Sequence, residues 1–169
     1  MNKFLENLQE ANKTISTVDH MLYVTFPLIK DKKLLLKILI DTKIAISKCI
    51  NSILQYEYLY KRIKLYNNPK TNFKTFEEKC AKKYNITEQE IKLILELFNI
   101  VKEHEKSSME FMKNEKIVIL SQSLQQKIIT IEKIKEFLTL AKKILKKLKE
   151  QFKDKYKKPL FLNQYSSNH

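Results

Sequence analysis

The sequence predicts an all-α fold, an antiparallel bundle of four main helices plus one short helix. The 169 residues include no glycine, which tight hairpin turns and phosphate-binding loops use where φ is positive. Hydrophobic residues make up 43 % of the chain, enough for a substantial core. Apolar residues also recur at spacings of three and four over four long segments. Together these features exclude P-loops, Rossmann fingerprints and tight-turned barrels.

The first two helices are predicted on either side of Pro27. The first runs from residue 3 to about 22, with apolar residues at Phe4, Leu5, Leu8, Ala11, Ile15, Val18 and Leu22. The run 23–26 is β-prone, and Pro27 is expected to end the helix before it. Asp31 caps a second helix that reaches about residue 65. Apolar residues on several of its faces predict a central helix with several neighbours.

The middle of the chain contains a turn, a short helix and a third long helix. The turn covers residues 66–72, around Pro69, and the short helix covers about 73–84. Thr87 and Glu90 have the spacing of a capping box, so a helix is expected from there to about residue 107.

An irregular segment then precedes the last helix. Residues 108–129 show no helical period, and within them 116–120 can form either a short strand, beside 23–26, or a buried extended loop. Thr130 caps a helix over about 131–157, which Pro159 ends. We expect one helical-bundle domain over 1–158 and a mobile tail over 159–169.

The last helix carries the most distinctive pattern of the sequence. Its apolar residues lie within roughly 120° of arc, and a narrow basic stripe lies well outside that arc. The stripe contains Lys135, Lys142, Lys146, Lys149 and Lys153, and it is flanked by Lys143 and Lys147. Nine lysines and two acids between residues 142 and 158 give +7, half of the net charge of +14. Such a concentration is typical of a surface that binds phosphates, so RNA or another polyanion is a candidate partner.

Two other interpretations of the lysine stripe are possible from the sequence. All but one of the 33 basic residues are lysine, and alanine is scarce, a bias that an AT-rich genome produces without any acidic partner. In that case the stripe is only a solvated helix face. A basic amphipathic helix can also bind a membrane surface, but here the bundle needs the apolar face for its core.

A second candidate region lies near residue 60, where aromatic and basic residues alternate before the Asn-Asn-Pro turn. Tyr58, Arg62 and Tyr66 are expected to be exposed and able to contact nucleobases. Tyr56 and Tyr60 share a face with Ile53 and Ile63, so a core position is expected for them.

Signals of catalytic, metal or cofactor sites are few. Cys49 and Cys80 form no CxxC pair or Cys/His cluster, so two reduced thiols are expected, and neither zinc nor a disulfide. His20 and His104 have no second imidazole or thiol at i+3 or i+4, and His104 is interpreted as a solvated helix residue. The sequence therefore predicts no catalytic residue, metal or cofactor. It also shows no secretion signal and no apolar run of ~20 residues, so we expect a cytoplasmic protein without a membrane span.

A short basic bundle of four to five helices with a long central helix resembles the HEPN superfamily, many of whose members are prokaryotic RNases or toxin–antitoxin components. Active members carry an arginine and a histidine separated by four to six intervening residues. The only arginine here is Arg62, and residues 67–69 are Asn67, Asn68 and Pro69. The resemblance therefore implies a non-catalytic member. Residues 19–39, 50–63 and 107–120 are also similar to uncharacterised small archaeal helical proteins, which implies no activity.

Three functions follow from these observations. The first is a non-catalytic binding protein that associates with RNA or ribonucleoprotein. The second is a protein-interaction scaffold or homodimer whose basic charge is compositional. The third is an enzyme with an unrecognised site.

Overall fold

The computed structural model describes residues 2–107 and 109–155, of which about three quarters are helical. The predicted mobile tail over 159–169 lies outside these residues. The helices are α1 (Lys3–His20), α2 (Phe26–Ile29), α3 (Lys32–Leu59), α4 (Pro69–Thr75), α5 (Glu88–Lys106) and α6 (Ile131–Gln151). The strands are β1 (Met109–Lys113), β2 (Lys116–Leu120) and β3 (Gln126–Ile129). The mostly helical fold is confirmed, and the small sheet is a correction to the all-α prediction.

Pro27 does not end the first helix, contrary to the prediction. Residues Met21–Thr25 form a π-helical turn, in which the amide of Phe26 donates to the carbonyl of Met21. Proline has no amide, and its ring clashes with the carbonyl four residues earlier in a regular helix. The wider π turn accommodates that ring, so the chain stays helical from α1 into α2. The β-prone run 23–26 is therefore helical and cannot pair with residues 116–120.

The sequence predicts the helix caps correctly but predicts the helix lengths less well. The side chains of Asp31, Thr87 and Thr130 cap α3, α5 and α6 as predicted, and Glu90 completes the capping box. Helix α3 ends at Leu59 rather than near 65, because Lys61 adopts a left-handed conformation. The short helix begins earlier than expected, at Pro69, and continues through a π turn and a 3-10 turn to Tyr84.

The sheet is a meander of three antiparallel strands in the order β1-β2-β3. Residues 116–120 form its central strand, and the neighbours are strands that the sequence pattern did not reveal. One face of the sheet points into the core with Ile117, Ile119 and Ile129, each at most 1 % exposed. The opposite face carries Met109, Phe111 and Ile128, which remain exposed.

The hairpin between β1 and β2 turns without glycine. Asn114 and Glu115 both have positive φ, 51° and 60°, the pattern of a type I′ turn. The lack of glycine therefore does not exclude a tight hairpin in this chain, because Asn114 and Glu115 adopt the required positive φ. Other left-handed corners are made by Lys30, Lys61 and Asn85. A left-handed conformation costs a residue with a Cβ about 1–2 kcal/mol.

One core connects the helices and the inner face of the sheet. Helix α1 runs antiparallel to α3: the Ser52 hydroxyl donates to the carbonyl of Phe4 at 2.7 Å, and Lys48 pairs with Glu10 further along α1. Helices α1, α3 and α6 contact one another, and α5 packs on α3 and α6. This arrangement places the outer face of α6 between α1 on one side and α5 on the other.

Glycine at position 115 should stabilise the protein, because it removes the Cβ from a left-handed position. We expect Glu115→Gly to raise the free energy of unfolding by about 0.5–1 kcal/mol, measured by chemical denaturation. Glu115→Ala is the matched control, since it also removes the exposed ion pair with Lys30 but keeps the Cβ. Equal stabilities of the two variants would contradict the assignment of a strained turn.

Candidate nucleic-acid interface

Helix α6 buries its apolar side completely and exposes its basic side. The predicted apolar stripe is buried at Ile134, Phe137, Leu138, Ala141, Ile144, Leu145, Leu148 and Phe152. The lysine side chains therefore lie on the surface, as the helical period predicted. Their surroundings divide them into three groups.

The first group of lysines faces α1. Lys142 forms an ion pair with Asp19, and the Lys149 ammonium donates to the side-chain oxygen of Asn12. Lys135 and Lys142 both lie over the ring of Tyr23, at 5.5 and 5.6 Å from its centroid. These contacts join α6 to α1 and to the π turn after it, and Asp19 neutralises the charge of Lys142.

The second group faces α5 and consists of Lys147. Its ammonium lies 2.8 Å from a carboxylate oxygen of Glu90 and 2.6 Å from the carbonyl of Asn85. Burial alone raises the pKa of Glu90, but hydrogen bonds from Lys147 and from the backbone amide of Thr87 outweigh it and lower the pKa. Lys147 thus joins α6 to the capping box of α5.

The third group is directed to solvent. Lys143, Lys146 and Lys153 are exposed, and none of them forms an ion pair or side-chain hydrogen bond with any residue of 2–107 or 109–155. Their positive charge is therefore not neutralised by the fold. Lys143 and Lys146 of α6, and Lys153 just after it, are the lysines best placed to bind an anion.

A cluster of aromatic rings fixes the end of α6 against the rest of the bundle. The Phe152 ring lies 5.3 Å from Phe4, 4.7 Å from Tyr56 and 6.0 Å from Tyr84. We call these four residues the aromatic junction. Close by, the Lys155 ammonium donates to the hydroxyl of Tyr60 at 2.9 Å. Helices α1, α3 and α6 and the turn at Tyr84 meet here.

The junction brings a second basic segment next to α6. Residues 61–83 contain eight basic and two acidic side chains, a net charge of +6. Tyr60 and Tyr84, which flank this segment, are the residues that contact Lys155 and Phe152. We call residues 61–83 and 142–155 together the basic end. The sequence does contain a signal for this second segment, since a count of charges in successive windows along the chain shows the excess of basic residues at 61–83.

The three candidates near residue 60 do not form one surface. Tyr58 is 53 % exposed and lines a cavity together with Lys61 and Lys64. Arg62 turns the other way, with its guanidinium 4.9 Å from the ring centroid of Tyr60. Tyr66 is exposed, and Asn72 holds its backbone through two hydrogen bonds of 2.7 and 2.8 Å. Tyr56 is half-buried, whereas Tyr60 is 43 % exposed rather than in the core.

A buried carboxylate lies beneath this region and was not anticipated. Glu57 is 3 % exposed, and it accepts hydrogen bonds from Tyr84 at 2.7 Å and Lys83 at 2.8 Å. The Arg62 guanidinium lies 3.3 Å from both carboxylate oxygens. Burial by itself raises the pKa of Glu57, but the hydrogen bonds from Lys83, Tyr84 and Arg62 outweigh it and lower the pKa. Glu57 therefore anchors two cations whose side chains are half exposed to solvent.

The two cysteines and His104 are buried or partly buried. Burial raises the pKa of Cys49 to about 12 and that of Cys80 to about 11, so both thiols stay protonated at neutral pH. His104 contacts the carboxylate of Glu110 in β1 and is partly buried, which corrects its interpretation as a solvated residue. Within residues 2–107 and 109–155, no group of three or more His, Cys, Asp or Glu side chains could hold a metal ion.

Comparisons of the chain with protein-family models, curated proteins and solved structures find no match. None of the helices in the described part of the chain has the length and apolar character needed to cross a membrane.

Replacing Glu57 should destabilise the protein in a pH-dependent way. At pH 7 the carboxylate is ionised in the folded and the unfolded protein, so Glu57→Gln should lower the free energy of unfolding by about 2–4 kcal/mol. Because the pKa of Glu57 is lower in the folded state, the difference between wild type and variant should shrink as the pH falls below about 4.

Denaturant unfolding at pH 7 and pH 3 measures both values. Glu78→Gln is the control, since Glu78 is an exposed carboxylate paired with Lys74, and its loss should cost less than about 1 kcal/mol. A difference for Glu57→Gln that stays constant with pH would show that the ionised carboxylate does not stabilise the fold.

Proposed function

We propose that the protein binds RNA or a related polyanion, without catalysing a reaction, through the basic end. The observation that carries this proposal is the distribution of charge. The two segments of the basic end, residues 61–83 and 142–155, have net charges of +6 and +5, and all other residues together contribute +3. Compositional bias alone would distribute lysines without regard to the fold, whereas these two segments adjoin at the aromatic junction.

The unpaired lysines of the basic end support phosphate binding. Lys143, Lys146 and Lys153 form no ion pair within the described residues, whereas Arg62 and Lys83 are paired with the buried Glu57. Phosphate contacts by lysine position a protein on nucleic acid without reading its sequence. We therefore expect binding with little sequence preference and strong dependence on salt.

A set of charge-matched variants tests the proposal. One variant replaces three lysines of the basic end by glutamine: Lys143, Lys146 and Lys153. The control variant replaces three other exposed lysines by glutamine: Lys102, Lys106 and Lys113. Both variants lose three charges, so only the position of the charges differs. Each phosphate contact lowers the logarithm of affinity by roughly 0.7 per logarithm of salt for single strands. The first variant should therefore flatten this slope by about two, and the control should leave it near the wild-type value.

The measurement is RNA affinity by fluorescence anisotropy at several salt concentrations, with thermal melts to verify folding. Exposed lysines without partners contribute little to stability, so both variants should melt close to wild type. Equal slopes for the two variants would reject the α6 lysines as RNA contacts.

A second candidate function is favoured by the outer face of the sheet. Met109, Phe111 and Ile128 form an apolar surface there, with Met109 58 % and Ile128 57 % exposed. Such a patch is typical of a surface that pairs with another protein or with a second copy of the chain.

Light scattering after size exclusion tests the pairing of two copies. For this candidate the expected result is a mass that rises from one to two copies with concentration, and Ile128→Lys should restore the single-copy mass. A monomeric mass at every concentration would exclude a homodimer on this face.

A further inference from the structure

A cavity lies at the end of α3, and the proposed function uses only the charge of the lysines beside it, not its apolar interior. Its volume is about 700 Å³, within the range of cavities that bind small organic groups. Phe4, Tyr58, Leu59 and Ile63 supply its apolar walls. Tyr58 and Leu59 are each 53 % exposed, so two large apolar side chains are left without a complete covering.

The polar groups around the cavity are cationic or neutral. Lys3, Lys61 and Lys64 contribute to its lining, and no aspartate or glutamate does. Within residues 2–107 and 109–155, no carboxylate forms an ion pair with any of these three lysines. The cavity is therefore complementary to a ligand that combines an apolar body with negative charge.

The backbone beside the cavity is held in place. The amide of Lys61 donates to the carbonyl of Tyr58 at 2.9 Å, and the amide of Arg62 donates to the carbonyl of Glu57 at 3.0 Å. These two bonds form a Schellman motif, with Lys61 in the left-handed position. Because Glu57 also binds the Arg62 side chain, the segment that presents Tyr58 and Lys61 is fixed at two points.

We propose that this cavity accepts one unstacked base of single-stranded RNA, which stacks on Tyr58 while the flanking phosphates contact Lys3, Lys61 and Lys64. The inference rests on the proposed function and adds a strand preference to it. A base in a duplex is stacked on both faces and cannot enter a cavity of this kind, whereas a base in a single strand can. The lysines of α6 contact backbone phosphates of either form.

Anisotropy titrations of a labelled 12-nucleotide oligouridylate and of a 12-base-pair RNA duplex test the inference. Wild type should bind the single strand more tightly than the duplex at equal salt. Tyr58→Ala should weaken single-strand binding about fivefold or more, because it removes a stacking platform, and should leave duplex binding unchanged. Tyr58→Phe keeps the ring and should bind both RNAs as wild type does.

Leu95→Ala provides a control for loss of an exposed large apolar side chain, since Leu95 lies on α5 and does not line the cavity. Retained duplex binding by Tyr58→Ala shows that the variant is folded. If Tyr58→Ala binds both RNAs as wild type does, the cavity takes no base and the inference is overturned, while the proposed function stands. If wild type binds neither RNA, the proposed function fails and the inference fails with it.

Discussion

The packing of Phe152 against Phe4, Tyr56 and Tyr84 holds the basic end of this molecule together. The end of α6, the beginning of α1, the end of α3 and the turn before α5 all contribute a ring to this aromatic junction. Buried aromatic pairs contribute about 0.5–1.5 kcal/mol each beyond the area they bury, so the junction is a strong local constraint. Because of it, Tyr60 and Tyr84, which flank the basic segment 61–83, contact Lys155 and Phe152 of the basic segment that begins after a further 58 residues of the chain.

The buried Glu57 limits the electrostatic cost of that arrangement. Lysines and arginine brought to one end of a small protein repel one another, and a carboxylate among them reduces the repulsion. Glu57 holds Arg62 and Lys83 directly, and Tyr84 links the carboxylate to the aromatic junction. Asp19 and Glu90 do the same for Lys142 and Lys147 on α6. The lysines without such partners are the ones that keep their charge available for a ligand.

The sequence predicts best what depends on neighbouring residues. The caps at Asp31, Thr87 and Thr130 and the buried stripe of α6 follow from local spacing, so they were predicted correctly. The strand at 116–120 was one of two alternatives from the sequence, but its pairing with β1 was missed because the hairpin turns on Asn114 and Glu115, a pair without glycine. The prediction that Pro27 ends the first helix was wrong because the π turn at Met21–Thr25 accommodates the proline ring within a continuous helix.

The candidate site was predicted only in part, since its geometry depends on distant contacts. Helical periodicity identifies exposed lysines on α6, but only the fold shows that Asp19 and Glu90 neutralise two of them. Glu57 did leave a signal: it shares a helix face with Ile53 and Leu54, a position where an acid must be buried with partners. The cavity beside Tyr58 forms because the end of α3 lies next to the start of α1. No local sequence pattern predicts this contact between distant segments.

Photo-cross-linking of a 4-thiouridine RNA to the full chain, followed by mass spectrometry of the cross-linked peptides, tests the central claim most directly. That claim is that the two basic segments form one RNA-binding surface. We expect cross-links in both segments, in peptides from residues 58–84 and from residues 142–155, and their joint loss at high salt. Cross-links confined to the sheet at residues 109–129, or present in only one of the two segments, would contradict it.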